Sequence, residues 1–172
     1  LARVTRSDMH LASVDLSRIA DRICTDLQQS QPERQVEFAI QAGLLAQGDA
    51  HLLQVLLENL LNNAWKFTSK HPHTKIEFGA IARSNKSNSS LTSNAPIYFV
   101  RDDGAGFDMA YINKLFGPFQ RLHSMLDFPG NAIGLATVQR IVHRHGGRVW
   151  AEGTVEQGAT FYFTLTEEEI EV

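Results

Sequence analysis

The sequence predicts an α/β fold, a two-layer sandwich in which helices cover one face of a mixed β-sheet. Three observations carry this expectation. Stretches whose apolar residues recur every three or four positions are interspersed with short stretches that alternate apolar and polar. The chain has 172 residues, 43% hydrophobic and 20% charged, which suffices for one substantial core and is too short to favour two. Neither an internal repeat nor a break in composition divides it.

Taken in order, Ser17 is the expected cap of a first helix whose apolar positions Ile19, Ala20, Ile23, Cys24 and Leu27 share a face, and which ends before Pro32. Gln35 to Ile40 alternates as a half-buried strand does, and a short segment Leu44-Leu45-Ala46 closes at Gly48. Asp49 is the expected cap of the longest helix, which runs to about Ser69 and turns the stripe Leu52, Leu56, Leu60, Ala64, Phe67 into the core. Strands are expected at 74–83 and 96–101, joined by the polar run 84–94 as a hairpin loop. Residues 103–130 carry little pattern beyond one helical turn around Ala110 to Phe116. A helix at 133–145, a Gly146-Gly147 stop and strands at 148–151 and 159–166 complete the fold, and the Glu-rich residues 167–172 read as a solvated tail.

Composition excludes several classes of function. Sixteen Lys and Arg against nineteen Asp and Glu give a net charge of −3, a field that gathers no polyanion, so nucleic-acid wrapping is not expected. One cysteine, Cys24, allows no internal disulfide, which fits a reducing, cytoplasmic setting. The longest apolar runs, such as Ile97 to Val100, fall far below the roughly 18 residues of a membrane-crossing helix. A start at Leu1 rather than Met suggests a piece of a longer polypeptide, whose parent is soluble or membrane-anchored.

Four segments are hard to explain by packing alone. Asn59, Asn63 and Lys66 fall at i, i+4 and i+7 of the long helix and share a face. That face is either simply solvated, or a pair of carboxamide oxygens suited to a hard cation with an ammonium suited to phosphate. Asp102-Asp103-Gly104-Ala105-Gly106 follows a strand; it is either a tight turn, or a backbone able to approach a flat ligand with an acid ready to accept from an exocyclic amine. Gly130-Asn131-Ala132-Ile133-Gly134-Leu135 precedes a helix, where exposed N–H groups and the helix dipole favour phosphate, though a plain loop would look the same. Phe116 and Phe119 flank Gly-Pro in an irregular stretch, as core anchors or as latches of a flap, and Arg121 is either placed to reach a phosphate or simply an exposed arginine. The seven histidines offer no metal set, and His143 and His145 read as dipole partners at a helix end.

In this order, Glu58-Asn59-Leu-Leu-Asn-Asn63-Ala-Trp-Lys66-Phe67-Thr, Asp102-Asp-Gly104-Ala-Gly106, Phe116-Gly-Pro-Phe119-Gln-Arg121, Gly130-Asn-Ala132-Ile133-Gly134-Leu135 and Gly158-Ala-Thr160-Phe resemble the N, G1, F, G2 and G3 boxes of the sensor histidine kinases, in their catalytic and ATP-binding domain. The run Leu135 to Gly147 is similar to the phytochrome-type group. The resemblance covers about Val14 to Leu165 and implies the Bergerat ATP-binding sandwich shared with gyrase, the Hsp90 chaperones and MutL. It implies that Asn63 holds Mg²⁺ with Asn59 on the same face, that Lys66 contacts phosphate, and that Phe67 packs near adenine. Asp102 would read the adenine amino group, Gly104 and Gly106 would let the backbone approach the base, and Phe116 and Phe119 would latch a lid. The backbone from Gly130 through Ile133 and Gly134 to Leu135 would cradle the phosphates, and Thr160 would complete the adenine pocket.

The implied function is the catalytic half of a protein histidine kinase in a two-component phosphorelay. It would bind Mg-ATP and donate the γ-phosphoryl to a histidine on a domain outside this chain. The implied partners are that phosphoacceptor domain and a response-regulator receiver domain, with a homodimeric parent. Residues 1–13 would be the remnant of the preceding dimerisation and phosphoacceptor helix, 14–166 the catalytic domain and 167–172 the acidic tail. Two departures stand out. The middle glycine of G-x-G-x-G is Ala132, which costs of order 1 kcal/mol if that position needs positive φ and opens a regulatory, pseudokinase alternative. No histidine is followed by Glu or Asp, so the phosphoacceptor signature is missing. A gyrase-type ATPase switch is the third alternative. Asn59 stands where such enzymes carry their glutamate base, and Glu58 points roughly 100° away on the helix.

Overall fold

The computed structural model describes residues 9–81, 95–109 and 133–166. Within them the order is β1 (Leu11–Asp15), α1 (Leu16–Ser30), β2 (Gln35–Ile40), β3 (Leu45–Asp49), α2 (Ala50–Phe67), β4 (His73–Ile81), β5 (Ile97–Asp102), α3 (Ile133–His145), β6 (Val149–Thr154) and β7 (Gly158–Phe163). Local chemistry sets most of these bounds. Asp49 caps α2 by accepting from the Leu52 N–H at 3.1 Å, as the sequence predicts. Asp15, not Ser17, caps α1 by accepting from the Arg18 N–H at 3.0 Å. Ser17 is buried inside the first turn, where its hydroxyl donates to the Gln41 carbonyl and accepts from the Leu44 N–H. Gly146 stops α3 with φ +86°.

Five strands form a mixed sheet in the order β2-β4-β5-β7-β6; β2 and β4 run parallel and the other pairs antiparallel. Ile76, Phe78, Tyr98, Val100, Ala151, Phe161 and Phe163 are buried on the face that meets α1, α2 and α3. Helices therefore cover one face of a mixed sheet, the predicted sandwich. Along α2 the buried residues are Leu53, Leu56, Leu57, Leu60, Leu61, Ala64 and Trp65. Leu56, Leu60 and Ala64 of the predicted stripe are core, while Leu52 and Phe67 at its ends are half-buried.

A second sheet is a ribbon that the sequence does not announce. β1 pairs antiparallel with β3, from Leu11 opposite Asp49 to Asp15 opposite Leu45. Residues 11–13 are thus strand, not the tail of a helix, and residues 1–8 lie outside the described residues. The polar run 84–94, the helical turn around Ala110 to Phe116 and the tail 167–172 also lie outside them. His145 ties the ribbon to the helices. It is buried, its Nδ1 is 2.8 Å from the Ile141 carbonyl, and its Nε2 accepts from the Asp49 N–H at 3.1 Å, an arrangement that requires the Nδ1–H tautomer.

The β6–β7 turn holds a non-glycine residue in the left-handed region, Glu156 at φ +63°. Its N–H donates to the Ala105 carbonyl at 2.7 Å, and its carboxylate lies 3.5 Å from His71 Nε2 across an exposed surface. Because glycine adopts this conformation freely, Glu156→Gly is expected to raise stability by about 0.5–1 kcal/mol in urea denaturation, after the loss of a surface pair that contributes little. A loss of stability would show that the His71 contact outweighs the strain.

Candidate functional site

The sequence's second segment forms a loop tightened from both sides. Asp102 ends β5, and its Oδ1 accepts from the Gly104 N–H at 2.9 Å. The Ala105 N–H donates to the Phe67 carbonyl at the end of α2, 3.0 Å away, while the Ala105 carbonyl accepts from Glu156 in the β6–β7 turn. Glycine is demanded by space: a Cβ on Gly104 would lie 2.3 Å from the Phe67 carbonyl oxygen, and one on Gly106, at φ +65°, 2.0 Å from the Thr154 carbonyl oxygen. The D-x-G-x-G pattern thus welds three elements: β5, the C-terminus of α2 and the β6–β7 turn.

Within this loop Asp102 is 5% exposed. Burial pushes its carboxyl up to about 7, with Asp103 adding to the rise, against the opposing effect of the N–H groups of Gly104 and Ala159. A carboxyl so placed is an acceptor aimed by the backbone, held where its charge is costly unless a donor meets it.

The C-terminus of α2 is clamped from behind. Arg34 Nη1 donates to the Trp65 carbonyl at 2.7 Å and Nη2 to Thr68 Oγ1 at 2.8 Å, and the guanidinium lies 3.9 Å from the centre of the Trp65 ring. The last turn of α2, with Lys66 and Phe67, is therefore fixed against the glycine loop. Sequence reading passed over Arg34, since an arginine in a loop carries no signal until its carbonyl partners are known.

Asn59, Asn63 and Lys66 lie on α2 and are half-buried. Asn59 Nδ2 donates back to the Val55 carbonyl at 2.8 Å, and its Oδ1 faces Gly134, on which a Cβ would come within 2.7 Å of that oxygen. α2 and α3 pack together here, so the start of α3, with Gly134 and the buried Leu135, sits against the carboxamide face. Phe116, Phe119, Arg121, Gly130 and Ala132 lie outside the described residues; Ile133 begins α3, with its side chain outside them as well.

One predicted residue belongs elsewhere. Asp102 pairs with Ala159 across the ladder and Arg101 with Thr160, and neighbours along a strand point to opposite faces. Thr160 therefore stands on the sheet face away from Asp102, where its Oγ1 accepts from Arg101 Nε at 3.3 Å and Glu152 lies opposite. The residue beside Asp102 is Ala159. A cleft of about 530 Å³ opens at this end of the sheet, lined by Asp102, Ala159 and Gly153 together with Arg101, Glu152, Met109 and Thr160. No residue of α2 or α3 lines it, and Arg101, Glu152 and Thr160 belong to the face away from the Asp102 side chain, so among the described residues the cleft does not reach the carboxamides.

For a divalent cation the donor set decides. Among the described residues no three His, Cys, Asp or Glu side chains cluster, so a caged structural metal finds no ligands. Mg²⁺ asks for less, commonly one or two protein oxygens with the remainder supplied by water and substrate phosphates, and the carboxamide face of α2 beside the N-terminal turn of α3 fits that demand. No helix among the described residues is long and apolar enough to cross a membrane.

The chain is 34% identical over 166 residues to cyanobacterial phytochrome B of Nostoc sp. (strain PCC 7120), a match covering 95% of this chain and 21% of that protein. It is 34% identical over 117 residues to the adaptive-response sensory kinase SasA of Synechococcus elongatus, covering 68% and 28% respectively. The chain thus spans about a fifth to just over a quarter of these relatives. Its fold is similar to that of the catalytic domain of histidine kinase ThkA, with a TM-score of 0.71 at 19% identity over 92% of this chain and 97% of that one. Residues 48–169 match the family described as histidine kinase-, DNA gyrase B- and HSP90-like ATPase, more than half of the sequence, and the chain belongs to that family.

Proposed function

We propose that this domain binds Mg-ATP and presents its γ-phosphoryl to a histidine on another domain of the parent protein. The observation that carries the reading is the buried Asp102 carboxyl, held by a glycine loop whose Ala105 N–H is bonded to Phe67, one helical turn from Asn63 and next to Lys66. An acid that reads an exocyclic amine and a face that takes phosphates are thereby set at a fixed separation. Asn63 and Asn59 would hold the metal and Lys66 a phosphate, while Gly134 leaves the first turn of α3 open to anions. Bound Mg²⁺ would neutralise charge between the phosphates, and this chain's residues would hold the nucleotide in position.

A hydrolytic switch is less well supported. Glu58, the nearest carboxylate on α2 to the metal-binding position, accepts from Gln54 Nε2 at 3.0 Å on the exposed side, whereas Asn59 faces α3. The phosphoacceptor and any assisting base would come from the parent's dimerisation domain, and the phosphoryl would pass onward to a receiver domain in the cytoplasm. The likeness to the adaptive-response sensory kinase SasA supports a sensory-kinase parent, for which a homodimer is part of the proposal. Titration calorimetry is expected to show ATP and ADP binding that tightens with Mg²⁺. Absence of heat, with no displacement of a fluorescent nucleotide at millimolar ATP, would overturn the reading.

A further inference from the structure

Thr74 is more than nine-tenths buried, and among the described residues its Oγ1 has no hydrogen-bond partner. Buried hydroxyls are almost always paired, so an orphan needs a reason. Its position supplies one. Ile76 is the cross-strand partner of Asp102, and Thr74, two residues earlier on β4, lies on the same face of the sheet. The diagonal sets the two residues roughly 7–8 Å apart, and side chains reaching toward each other would leave between their oxygens the roughly 5.5 Å that one water, about 2.8 Å from each, bridges. The loop is anchored at this point, because the Lys75 N–H donates to Asp103 Oδ1 at 3.1 Å.

Other hydroxyls near the acid are taken. Thr68 Oγ1 donates to the Ala64 and Trp65 carbonyls and accepts from Arg34. Thr160 is on the far face with Arg101, and Ala159 beside Asp102 has none. We propose that Thr74 is a further specificity residue of the nucleotide site, its hydroxyl acting through a water, together with the Asp102 carboxyl, on the hydrogen-bonding edge of adenine. The proposal rests on the ATP-binding reading and adds to it a residue outside the motifs. It also explains how a site whose Thr160 points away keeps a hydroxyl on the adenine side.

The test compares Thr74→Val and Thr74→Ser in the 172-residue chain, with ATP, adenosine and inorganic tripolyphosphate each displacing a fluorescent nucleotide. Valine keeps the shape and removes an unpaired group, so it is expected to fold with an unchanged or higher melting temperature. It should weaken ATP and adenosine by roughly tenfold, leave tripolyphosphate within twofold, and be rescued by serine. Equal affinity of wild type and Thr74→Val for adenosine would overturn the proposal, as would an equal loss for tripolyphosphate. If Thr74→Val fails to melt cooperatively, Thr74→Ala is read against Thr74→Ser: a roughly tenfold loss of adenosine affinity in alanine alone supports the hydroxyl, and equal affinities overturn the proposal. Wild-type chain that takes up tripolyphosphate but no adenosine would instead remove the ATP-binding reading itself.

Discussion

Asp102→Asn is expected to make the protein more stable and its site inactive, a pair of effects that separates the acid's role in folding from its role in recognition. Burial raises the carboxyl from 3.8 to about 7, so between those pH values the native state holds a proton that the unfolded state has lost. Stability conferred by the neutral form is fully present below about pH 4 and is lost as pH rises toward 7, with an upper bound of about 4 kcal/mol above it. Asparagine retains an oxygen for the Gly104 N–H and never ionises. The variant should therefore exceed wild type by about 1–3 kcal/mol at pH 8 and by little at pH 4, measured by denaturant titration at both. Nucleotide affinity should move the opposite way. The amide presents a donor to an exocyclic amine that is also a donor, a loss of about a hundredfold or more by calorimetry. Wild-type affinity should itself weaken as pH falls below about 7, because protonation turns one carboxyl oxygen into a donor and removes the charge that strengthens the bond to the amine. A variant less stable than wild type at pH 8 would show that the charge is compensated in a way the Gly104 and Ala159 N–H groups do not explain.

How far this was legible in the sequence follows from which interactions are local. The cap of α2 could be read because Asp49 acts three residues from its own donor, and the extents of α2 and α3 because apolar spacing is a property of single elements. Asp102, Gly104 and Gly106 could be marked because strand, acid and glycines are contiguous. What failed depended on pairing. Whether Thr160 or Ala159 stands beside Asp102 turns on a one-residue register between β5 and β7, and a slip of one residue exchanges faces. The β1–β3 ribbon and the His145 to Asp49 bond join residues far apart in sequence, and no local pattern encodes them. Ser17 looked like a cap because its residue type is right; the backbone starts the helix two positions earlier, and its hydroxyl serves the turn before β3 instead.

Gly104→Ala tests the weld between the acid and α2, and its expected effect on binding is the other large one. The reason for glycine here is space and not torsion, since among the loop's glycines it is Gly106 that takes positive φ. An alanine methyl at Gly104 would sit 2.3 Å from the Phe67 carbonyl oxygen, 2.7 Å from its carbon and 3.0 Å from Thr68 Cγ2. Two of those three are backbone atoms of a helix end that Arg34 holds in place, so no flexible side chain can give way. The loop must withdraw instead, which stretches or breaks the Ala105 N–H to Phe67 carbonyl bond and draws Asp102 away from Asn63 and Lys66. Overpacking of this kind costs about 1–3 kcal/mol, well short of unfolding a typical domain. The separation of the two halves of the site is felt more strongly, because a nucleotide bridging them can then satisfy only one at a time. ATP affinity is expected to fall by about a hundredfold, whereas adenosine and tripolyphosphate, each of which needs one half, should fall by less than tenfold. Equal losses for all three ligands would mean that the loop collapses rather than moves, and unchanged ATP affinity would mean that the distance between Asp102 and α2 does not govern binding.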